Sequence, residues 1–502
     1  MKQFYTLEDY GILLQSLRML KEFYSDGKED STIEYLTFDS KKVRENTLFV
    51  CKGAAFKAQY LDEAIKKGAV AYVSEKKFDT KEDVPYILVD DIRKAMPALA
   101  VKFHHSPWEK LHVIGIGGTK GKSTSAYFMK SVVDQYMESI GGKESGILSS
   151  IDIYDGVIRE ESKLTTAEAI ELQEHLSNAV KSDISFVEME VSSQALKYGR
   201  VDCMQMEVGI FLNISEDHIS PIEHPDFEDY FASKLTMFDK TKYAVVNKDA
   251  DFSDRILEAA KKCEKVITFS VKDPSADVYG YDLRKDGTET VFRAKTADFD
   301  EEFRLGMAGY FNVENALSVI AAAGVFKIPF SCIQKGLYLS HPGGRMEMFV
   351  SSDKNKIAIV DFAHNKLSFE KLFSSVREEY PDYRLEAVFG CPGNKAFNRR
   401  EDMGTVAGKY ADKVYLTADD PATEEVKDIC GQIAKYVELN HCPYEIVEDR
   451  REAIKAALTG TKEKTVFLVT GKGNENWLKY GNSHVPYESD IENVKEFLER
   501  TE

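Results

Sequence analysis

Short apolar runs alternate with longer amphipathic stretches in the last third of the chain. The runs have the length of buried strands, and the stretches between them have helical spacing. The strand candidates are residues 357–360, 385–389, 414–417, 444–447 and 466–470. This rhythm predicts an α/β fold with a doubly wound, Rossmann-like open sheet, in which ligands bind beyond the carboxyl ends of the strands. Asp361, Gly390, Asp419 and Gly471 fall at those ends.

The middle of the chain shows the same alternation around a glycine-rich turn. An apolar strand at residues 111–117 leads into the turn, and further apolar runs follow at 184–191, 208–214 and 243–247. Because polar helical segments separate these runs, we expect parallel strands of one nucleotide-binding sheet. A helix predicted over 313–326 closes this block.

The chain before Pro107 mixes short strands with helices and predicts a small α/β module. Its strand candidates are residues 48–50, 70–73 and 86–89, and its helix candidate is 61–67. A length of 502 residues favours about three domains. We therefore predict domains at 1–108, 109–342 and 343–502, with His341–Gly344 as the second linker.

The glycine-rich turn ends in Gly121, Lys122 and Ser123 and opens a helix. Glycines let backbone N–H groups approach an anion, Lys122 supplies positive charge, and the Ser123 hydroxyl can ligate Mg²⁺. The predicted phosphate contacts are Gly118, Thr119, Lys120, Gly121, Lys122, Ser123 and Thr124. Ile116 stands where the generic phosphate loop has a glycine, so a glycine-rich turn without a ligand remains the alternative.

Composition describes a water-soluble chain. Hydrophobic residues make up 43% and charged residues 30%, and no apolar run approaches the roughly 20 residues of a membrane helix. The net charge of −18 argues against nucleic acid as a partner. Seven cysteines without a CxxC pair argue against a disulfide framework or structural zinc. The N-terminus shows no export signal, so we expect a cytoplasmic protein.

Several phrases resemble, in order and nearly end to end, the Mur ligase family, and most closely its MurE type, the UDP-N-acetylmuramoyl-tripeptide synthetases. They are Thr37–Lys41, Leu48–Val50, Gly118–Thr124, Leu164–Thr166, Met189–Leu196, Asp217–His218, Tyr230–Lys234, Phe311–Ala316, Gly344–Glu347, Asp361–His364, Asp419–Ala422 and Gly471–Glu475. The resemblance implies a three-domain ligase that forms an amide bond with ATP. A carboxylate of UDP-MurNAc-L-Ala-D-Glu would be activated as an acyl phosphate, which an amino acid then attacks.

The resemblance also implies a magnesium centre. Lys122 would neutralise the β- and γ-phosphates, while Ser123 and Glu190 would hold one Mg²⁺. Lys234 would be an N6-carboxylysine, because a lysine sits beside magnesium as a ligand only after CO₂ has converted it to a carbamate. His218 would lie near the second Mg²⁺. Without their motifs, Lys234 reads as a solvated helix lysine and His218 as a structural histidine.

Substrate contacts follow from the same resemblance. The adenine and ribose would contact Asn312, Arg345, Asp361 and His364. The sugar nucleotide and its peptide would contact Ser40, Thr165, Thr166, Ser192 and Arg200. The incoming amino acid would contact Arg400, Asp419, Asp420, Gly471 and Glu475. Serine, threonine and surface arginine are common enough that each also has a purely structural interpretation. We expect a monomer that closes about a hinge.

Departures from the family pattern concern the amino acid. Enzymes that add meso-diaminopimelate typically carry Asp-Asn-Pro-Arg, where this chain has Asp419-Asp420-Pro421-Ala422. Losing the arginine removes a partner for a distal carboxylate, and an added aspartate suits a distal ammonium, which favours L-lysine. The phrase ending in Glu475 resembles the diaminopimelate type apart from Asn474, so that substrate stays open.

Other departures are Gln194 for histidine, Ala167 for proline and Lys41 for arginine. Two alternatives therefore remain beside a tripeptide synthetase. One is another amide ligase of this family, such as a folylpolyglutamate synthetase-like enzyme, although those lack the first block with Asp39 and Ser40. The other is a relative that binds a nucleotide without catalysis.

Overall fold

Helices and short strands alternate along the chain, as the sequence predicts for an α/β protein. A computed structural model describes residues 4–53, 56–80, 83–216, 219, 223–287, 289–340 and 343–499. The helices are α1 (Leu7–Ser16), α2 (Ala58–Lys66), α3 (Ile92–Phe103), α4 (Lys122–Ser139), α5 (Ala169–Lys181), α6 (Ser193–Lys197), α7 (Phe227–Leu235), α8 (Ser253–Ala260), α9 (Phe311–Val325), α10 (Phe330–Leu339), α11 (Lys366–Glu379), α12 (Asn398–Tyr410), α13 (Val426–Glu438), α14 (Arg450–Gly460) and α15 (Asp490–Glu499).

Strands cover the segments between these helices. They are β1 (Tyr5–Thr6), β2 (Leu20–Tyr24), β3 (Thr32–Ile33), β4 (Tyr35–Thr37), β5 (Thr47–Val50), β6 (Ala69–Ser74), β7 (Tyr86–Val89), β8 (His112–Gly117), β9 (Gly146–Leu148), β10 (Asp152–Tyr154), β11 (Arg159–Glu161), β12 (Phe186–Glu190), β13 (Met206–Phe211), β14 (Thr241–Asn247), β15 (Lys265–Ser270), β16 (Val278–Asp286), β17 (Glu289–Lys295), β18 (Asp300–Leu305), β19 (Glu347–Val350), β20 (Lys356–Asp361), β21 (Arg384–Phe389), β22 (Lys413–Leu416), β23 (Tyr444–Ile446), β24 (Thr465–Thr470), β25 (Trp477–Tyr480) and β26 (Ser483–Pro486). Every strand and helix predicted above is found, with ends shifted by a few residues.

The chain divides into two compact units. The first contains Met1–Thr268 and Ala321–Cys332, and the second contains Phe269–Ile320 and Ile333–Glu502. This division separates groups of residues by their contacts and does not test the domain boundaries at 108 and 342, which stay a prediction.

The first unit begins with a sheet of order β2-β7-β6-β5-β4, in which β4 to β7 run parallel and β2 is antiparallel. Strand β5 is buried along its whole length. Phe49 belongs to the core that contains Leu61 of α2, whereas Val50 belongs to the core that contains Leu99 of α3. Because successive side chains point to opposite faces, helices cover both sides of this sheet.

The nucleotide-binding sheet predicted for the middle of the chain also lies in the first unit. Its order begins β11-β10-β9-β12-β8-β13-β14-β15, and β9, β12, β8, β13 and β14 are parallel. One face packs against α5, where Leu172 and Leu176 meet Val113 and Val187. The carboxyl ends of β8, β12 and β13 therefore lie side by side, at Gly117, Glu190 and Phe211.

The second unit contains the antiparallel strands β16, β17 and β18, which the sequence analysis did not identify. It also contains the predicted C-terminal sheet, of order β19-β20-β24-β21-β22-β23, in which only β19 is antiparallel among these strands. Val388 of β21 shares a core with Ala453 of α14, while the neighbouring Phe389 meets Phe369 of α11 at 5.0 Å between ring centroids. Helices thus cover both faces, which confirms the doubly wound prediction.

The cysteine side chains and the helices can be compared with the sequence analysis. All seven cysteines are free, and five of them are buried. Across the described part of the chain, no helix combines the length and apolar character needed to cross a membrane.

Candidate functional site

The glycine-rich turn connects β8 to α4 with two residues in positive-φ conformations. Gly118 has φ +146° and Gly121, which caps α4, has φ +86°. A Cβ on Gly118 would lie 3.0 Å from Cβ of Leu212, so glycine is required there by space as well as by backbone angle. Backbone N–H groups at the start of α4 are thereby available to an anion.

Asn213 holds the turn from the neighbouring strand end. Its side-chain oxygen accepts from the Lys120 N–H at 2.9 Å, its amide donates to the Lys120 carbonyl at 3.0 Å, and its own carbonyl accepts from the Thr119 N–H at 3.0 Å. Three hydrogen bonds with Asn213, two of them through its side chain, therefore hold the turn against the segment that follows β13. Sequence reasoning did not identify Asn213, although its position just after an apolar strand next to β8 was a usable signal.

Two lysines predicted to act together converge on this turn. Lys122 Nζ donates to the carbonyls of Gly118 and Thr119, at 3.1 and 3.2 Å. Lys234 Nζ donates to the same Gly118 carbonyl at 2.8 Å, and the residue is only 3% exposed. Helix α7 directs Lys234 inward because Tyr230, one turn earlier on the same face, is also buried. The interpretation of Lys234 as a solvated surface lysine is wrong.

A buried carboxylate lies beside the turn. Glu190 ends β12 and is 1% exposed. Its Oε1 accepts from the Ser150 N–H at 2.8 Å and from the Ser150 hydroxyl at 3.0 Å, and that hydroxyl lies 3.1 Å from Ser123 Oγ. Its Oε2 has no hydrogen-bond partner. A buried carboxylate oxygen without a donor is costly unless a cation approaches it, and carboxylate and hydroxyl oxygens are ligands that Mg²⁺ accepts.

Ser123 and Glu190 are the described side chains that could contribute to a metal site. Over the residues that the structure describes, no group of three or more histidine, cysteine or acidic side chains is placed to hold a metal ion. Ser123 and Glu190 fit Mg²⁺, which usually keeps several waters and takes one or two carboxylates together with substrate phosphates. Asp217 and His218 lie outside the described residues, so the prediction for His218 is untested.

Glu188 is a second buried acid on the same face of β12. Neither of its carboxyl oxygens has a hydrogen-bond partner. Burial raises the pKa of Glu188 to about 8, with Lys130 opposing and Asp134 reinforcing this shift. Glu188 lies two residues before Glu190. Among the described residues, no recorded contact joins it to the glycine turn. It therefore offers a matched comparison for Glu190.

The residues predicted to bind the peptide cluster behind Glu190. The Thr166 hydroxyl donates to the Glu190 carbonyl at 2.8 Å and accepts from the Ser192 N–H at 3.0 Å. Arg200 Nη1 donates to the Thr166 carbonyl at 3.1 Å, and Nη2 lies 3.0 Å from Glu168. Thr165 is half-buried next to them. The structure thus brings these four predicted residues together, and Arg200 already has an internal carboxylate partner.

Ser40 lies in the first sheet, in the loop after β4. Its hydroxyl donates to Glu63 at 3.3 Å, and its carbonyl accepts from Lys67 at 2.8 Å. Gln194, which stands where the family pattern has histidine, also has a local partner, because its side-chain amide donates to Glu223 at 2.8 Å.

In the second unit, three of the four residues predicted to bind adenosine are close in the fold. The Asp361 carboxylate accepts from the N–H groups of Met346 and Ala363, at 2.9 and 2.8 Å. Arg345 lies over the Phe362 ring at 4.9 Å, and His364 Nδ1 is 2.7 Å from the Phe362 carbonyl.

The fourth, Asn312, is fully buried at the start of α9. Its side-chain amide donates to the Ala308 carbonyl at 2.7 Å, and its side-chain oxygen accepts from the Asn315 amide at 3.0 Å. These bonds fix the side chain within the first turn of the helix.

The loops after β22 and β24 bring together Asp419, Asp420, Gly471 and Glu475. Lys472, which the sequence analysis did not select, links two of them: its Nζ is 3.1 Å from Asp420 Oδ1 and also contacts Glu475. The ammonium lies 4.0 Å from the centroid of the Trp477 ring, and Lys472 is 1% exposed. The ammonium of Lys472 therefore already lies between two acidic side chains of this cluster.

Burial raises the pKa of Asp419, opposed by the charges of Arg450 and Lys472, and burial raises the pKa of Glu475, opposed by its bond to Lys472. Arg450 holds the two loops through hydrogen bonds to their backbone carbonyls. Its guanidinium donates to the carbonyls of Ala418 and Thr470, at 3.1 and 2.7 Å, and forms a fully buried double hydrogen bond with Asp490.

Arg400, the residue predicted to bind an α-carboxylate, is 2% exposed. Its guanidinium lies 2.9 Å from Glu424 and donates to Gln432 at 2.7 Å, while Nε has no hydrogen-bond partner. The bond from Arg400 lowers the pKa of Glu424.

Known proteins are similar to this chain over almost its whole length. The family model of the Mur ligase middle domain matches residues 116–323, and that of the Mur ligase, glutamate ligase domain matches 344–473. A UDP-N-acetylmuramyl-tripeptide synthetase of Lactobacillus delbrueckii is 34% identical over 98% of both chains. A UDP-N-acetylmuramoyl-L-alanyl-D-glutamate--L-lysine ligase of Enterococcus faecalis is 36% identical over 97% of both, and one of Streptococcus pneumoniae is 36% identical over 92% of both.

Solved structures show the same architecture. A UDP-N-acetylmuramoyl-L-alanyl-D-glutamate--2,6-diaminopimelate ligase superposes with a TM-score of 0.68 at 22% identity over 99% of both chains. A MurF structure from Acinetobacter baumannii superposes with a TM-score of 0.65 at 17% identity over 99% of both. At these identities the likeness establishes the fold, and it confirms the predicted Mur ligase architecture. By sequence and by fold, the chain belongs to the Mur ligase family.

Proposed function

We propose that this protein is an ATP-dependent ligase that joins L-lysine to the γ-carboxylate of D-glutamate in UDP-MurNAc-L-Ala-D-Glu, a step in the synthesis of peptidoglycan precursors. One observation carries the proposal. Lys122 and Ser123 of α4 and Lys234 of α7 gather at one glycine turn, and Glu190 of β12 is linked to Ser123 through Ser150 and presents an unpaired oxygen. Relatives with 34 to 36% identity are named as tripeptide synthetases and L-lysine ligases, which supports the choice of reaction.

Mur ligases use ATP and Mg²⁺. In this chain Ser123 and Glu190 would hold the ion, which supplies positive charge that stabilises the transferring phosphoryl group. The orphan oxygen of Glu190 is the structural reason for this assignment.

The protein's part in phosphoryl transfer is binding and orientation. The turn residues Gly118 to Thr124 would surround the phosphates at the N-terminus of α4, with backbone N–H groups other than those of Thr119 and Lys120, which donate to Asn213. Lys122 would leave the carbonyls of the turn to neutralise the β- and γ-phosphates. An oxygen of the substrate carboxylate attacks the γ-phosphorus and ADP leaves, which gives an acyl phosphate. The neutral amine then attacks the acyl carbon, loses a proton, and expels inorganic phosphate.

Lys234 is proposed to carry a carbamate. Its neutral amine adds to CO₂, an N–C bond forms and one proton is released, so the side chain becomes an anion. Its burial beside the glycine turn supports this role, because an anion there would assist a second Mg²⁺. His218 is proposed to contribute to the same centre.

Binding roles for the remaining residues follow from their position in the family motifs. Ser40 is proposed to contact the uridine end of the sugar nucleotide, and Thr165, Thr166, Ser192 and Arg200 its peptide end. The adenosine would contact Asn312, Arg345, Asp361 and His364. We place the monomeric enzyme in the cytoplasm, where ATP and nucleotide sugars are available.

Selection of lysine is proposed to depend on charge in the second unit. Asp420 and Glu475 carry two carboxylates beside the one ammonium of Lys472. The excess negative charge would favour the binding of a second cation. Ala422 provides no partner for a distal carboxylate. Arg400 is assigned to the α-carboxylate of the amino acid, Asp419 is assigned as a further contact with the amino acid, and Gly471 gives close backbone approach.

We expect L-lysine to be the preferred amine in an assay with Mg-ATP and UDP-MurNAc-L-Ala-D-Glu. Phosphate release should be at least about 100-fold more efficient, as kcat/KM, with L-lysine than with meso-diaminopimelate, because the extra carboxylate would be left unpaired near two acidic groups. L-ornithine, one methylene shorter, should lie about tenfold below lysine.

Ala422→Arg is the matched variant for this assay, because Ala422 has a φ of 51° and already places a Cβ at this position. This variant should have a smaller ratio of kcat/KM for L-lysine to kcat/KM for meso-diaminopimelate. Equal turnover of lysine and diaminopimelate by the unsubstituted protein would contradict the proposed selectivity. Turnover with none of the three amines would favour a different ligase or a nucleotide-binding protein.

A further inference from the structure

Glu379, at the end of α11, is the meeting point of three hydrogen-bond donors and one ammonium. Its Oε1 accepts from the Tyr310 N–H at 2.9 Å and from the Ser375 hydroxyl at 2.6 Å. Its Oε2 accepts from the Gly309 N–H at 3.1 Å and lies 2.9 Å from Lys285 Nζ. The side chain is 0% exposed, so both oxygens of a fully buried acid are satisfied by the protein.

Apart from Ser375 on the same helix, these partners come from a distant part of the sequence. Lys285 lies in β16, and Gly309 and Tyr310 form the turn before α9, all within the residues matched by the Mur ligase middle domain. Glu379 lies within those matched by the glutamate ligase domain. All of them belong to the second compact unit. The carboxylate therefore joins two family domains at a point inside one unit.

The turn that Glu379 holds leads directly into Asn312. Gly309 has φ +96°, and its carbonyl accepts from the Asn312 N–H at 2.8 Å. A carboxylate at the start of a helix satisfies N–H groups that have no partner within the helix and complements its dipole. Removing Glu379 would leave the Gly309 N–H and the Lys285 ammonium without this partner in a buried site, and the turn would have to rearrange.

We propose that Glu379 is a positioning residue for the nucleotide: it fixes the Gly309–Tyr310 turn and, through it, Asn312. The inference rests on the proposed function, which assigns Asn312 to the adenosine. It makes nucleotide affinity depend on a side chain of the glutamate ligase domain that itself touches no substrate.

The test is ADP binding by titration calorimetry to the full-length protein and to Glu379→Ala. We expect the Kd for ADP to rise about tenfold, which corresponds to about 1.4 kcal/mol. The KM for UDP-MurNAc-L-Ala-D-Glu should stay within about twofold, because Ser40 and Thr166 are in the other unit. Hydrogen exchange of the Gly309 and Tyr310 amides should accelerate. Glu378→Ala, an exposed neighbour of equal charge on the same helix, should change none of these quantities.

A purely structural role gives a different result. Faster amide exchange and a lower unfolding midpoint with unchanged ADP affinity would overturn the proposal. If Glu379→Ala does not fold, Glu379→Gln replaces it in the same ADP titration. Glutamine retains an acceptor for the turn but loses the charge beside Lys285. An ADP affinity equal to that of the unsubstituted protein would again overturn the proposal. An unsubstituted protein that binds no ADP would contradict the proposed function itself, whereas normal binding that ignores residue 379 contradicts only this inference.

Discussion

Replacing Glu190 with glutamine should raise the Mg²⁺ concentration needed for half-maximal activity by at least about 100-fold and lower kcat as well. Substituting groups that merely surround a metal ligand costs 10- to 100-fold in affinity, so a direct ligand should cost at least the upper value. Glutamine keeps an oxygen for the Ser150 N–H but loses the negative charge at the unpaired Oε2. The measurement is initial phosphate release as a function of Mg²⁺ at saturating ATP.

Glu188→Gln is the control for this experiment. It removes an acid that is equally buried, lies on the same face of β12 and, like Glu190, has a carboxyl oxygen without a hydrogen-bond partner. Burial already favours its protonated form at neutral pH, so the substitution changes little charge. We expect an unchanged Mg²⁺ requirement. An equal loss in both variants would mean that strand packing, and not a metal contact, explains the effect of Glu190.

Replacing Lys234 with alanine should reduce kcat by about 1,000-fold, the upper range for removing one electrostatic group from a catalytic site. The variant loses both the amine that bonds to Gly118 and the proposed carbamate. Acetate should restore part of the activity, because a small carboxylate can occupy the vacated space and replace the anion. The measurement is tripeptide formation with and without acetate, alongside circular dichroism to verify the fold.

Lys234→Met separates charge from shape, since methionine fills similar space but forms no carbamate. It should be as inactive as the alanine variant and should not respond to acetate. Lys240→Ala, which removes a nearby lysine paired with Asp202, should remain active. Near-normal turnover by Lys234→Met would reject the carbamate assignment.

The sequence was sufficient to predict the strands that carry the site. Apolar runs at 184–191 and 466–470 became β12 (Phe186–Glu190) and β24 (Thr465–Thr470), because strands buried on both faces are continuously apolar and end where polar residues begin. The same logic located Glu190 and Gly471 at strand ends. By contrast, β16 to β18 carry charged side chains at many exposed positions, such as Arg284 and Glu301, and lack a clear apolar run.

Pairings between distant side chains could not be predicted from the sequence. Ser150 joins Ser123 to Glu190 only because β9 lies next to β12. Lys472 contacts Asp420 only because the loops after β22 and β24 meet. Such contacts depend on strand order, which the alternation of apolar and polar residues does not encode.

The central claim is that ATP activates the substrate's carboxylate at the glycine turn. It is tested most directly by supplying UDP-MurNAc-L-Ala-D-Glu with oxygen-18 in both γ-carboxylate oxygens, together with Mg-ATP and L-lysine, and analysing the products by mass spectrometry. An acyl phosphate predicts that each inorganic phosphate released carries one oxygen-18 atom and that ADP carries none. Tripeptide formed with unlabelled phosphate, or with the label in AMP, would contradict the account.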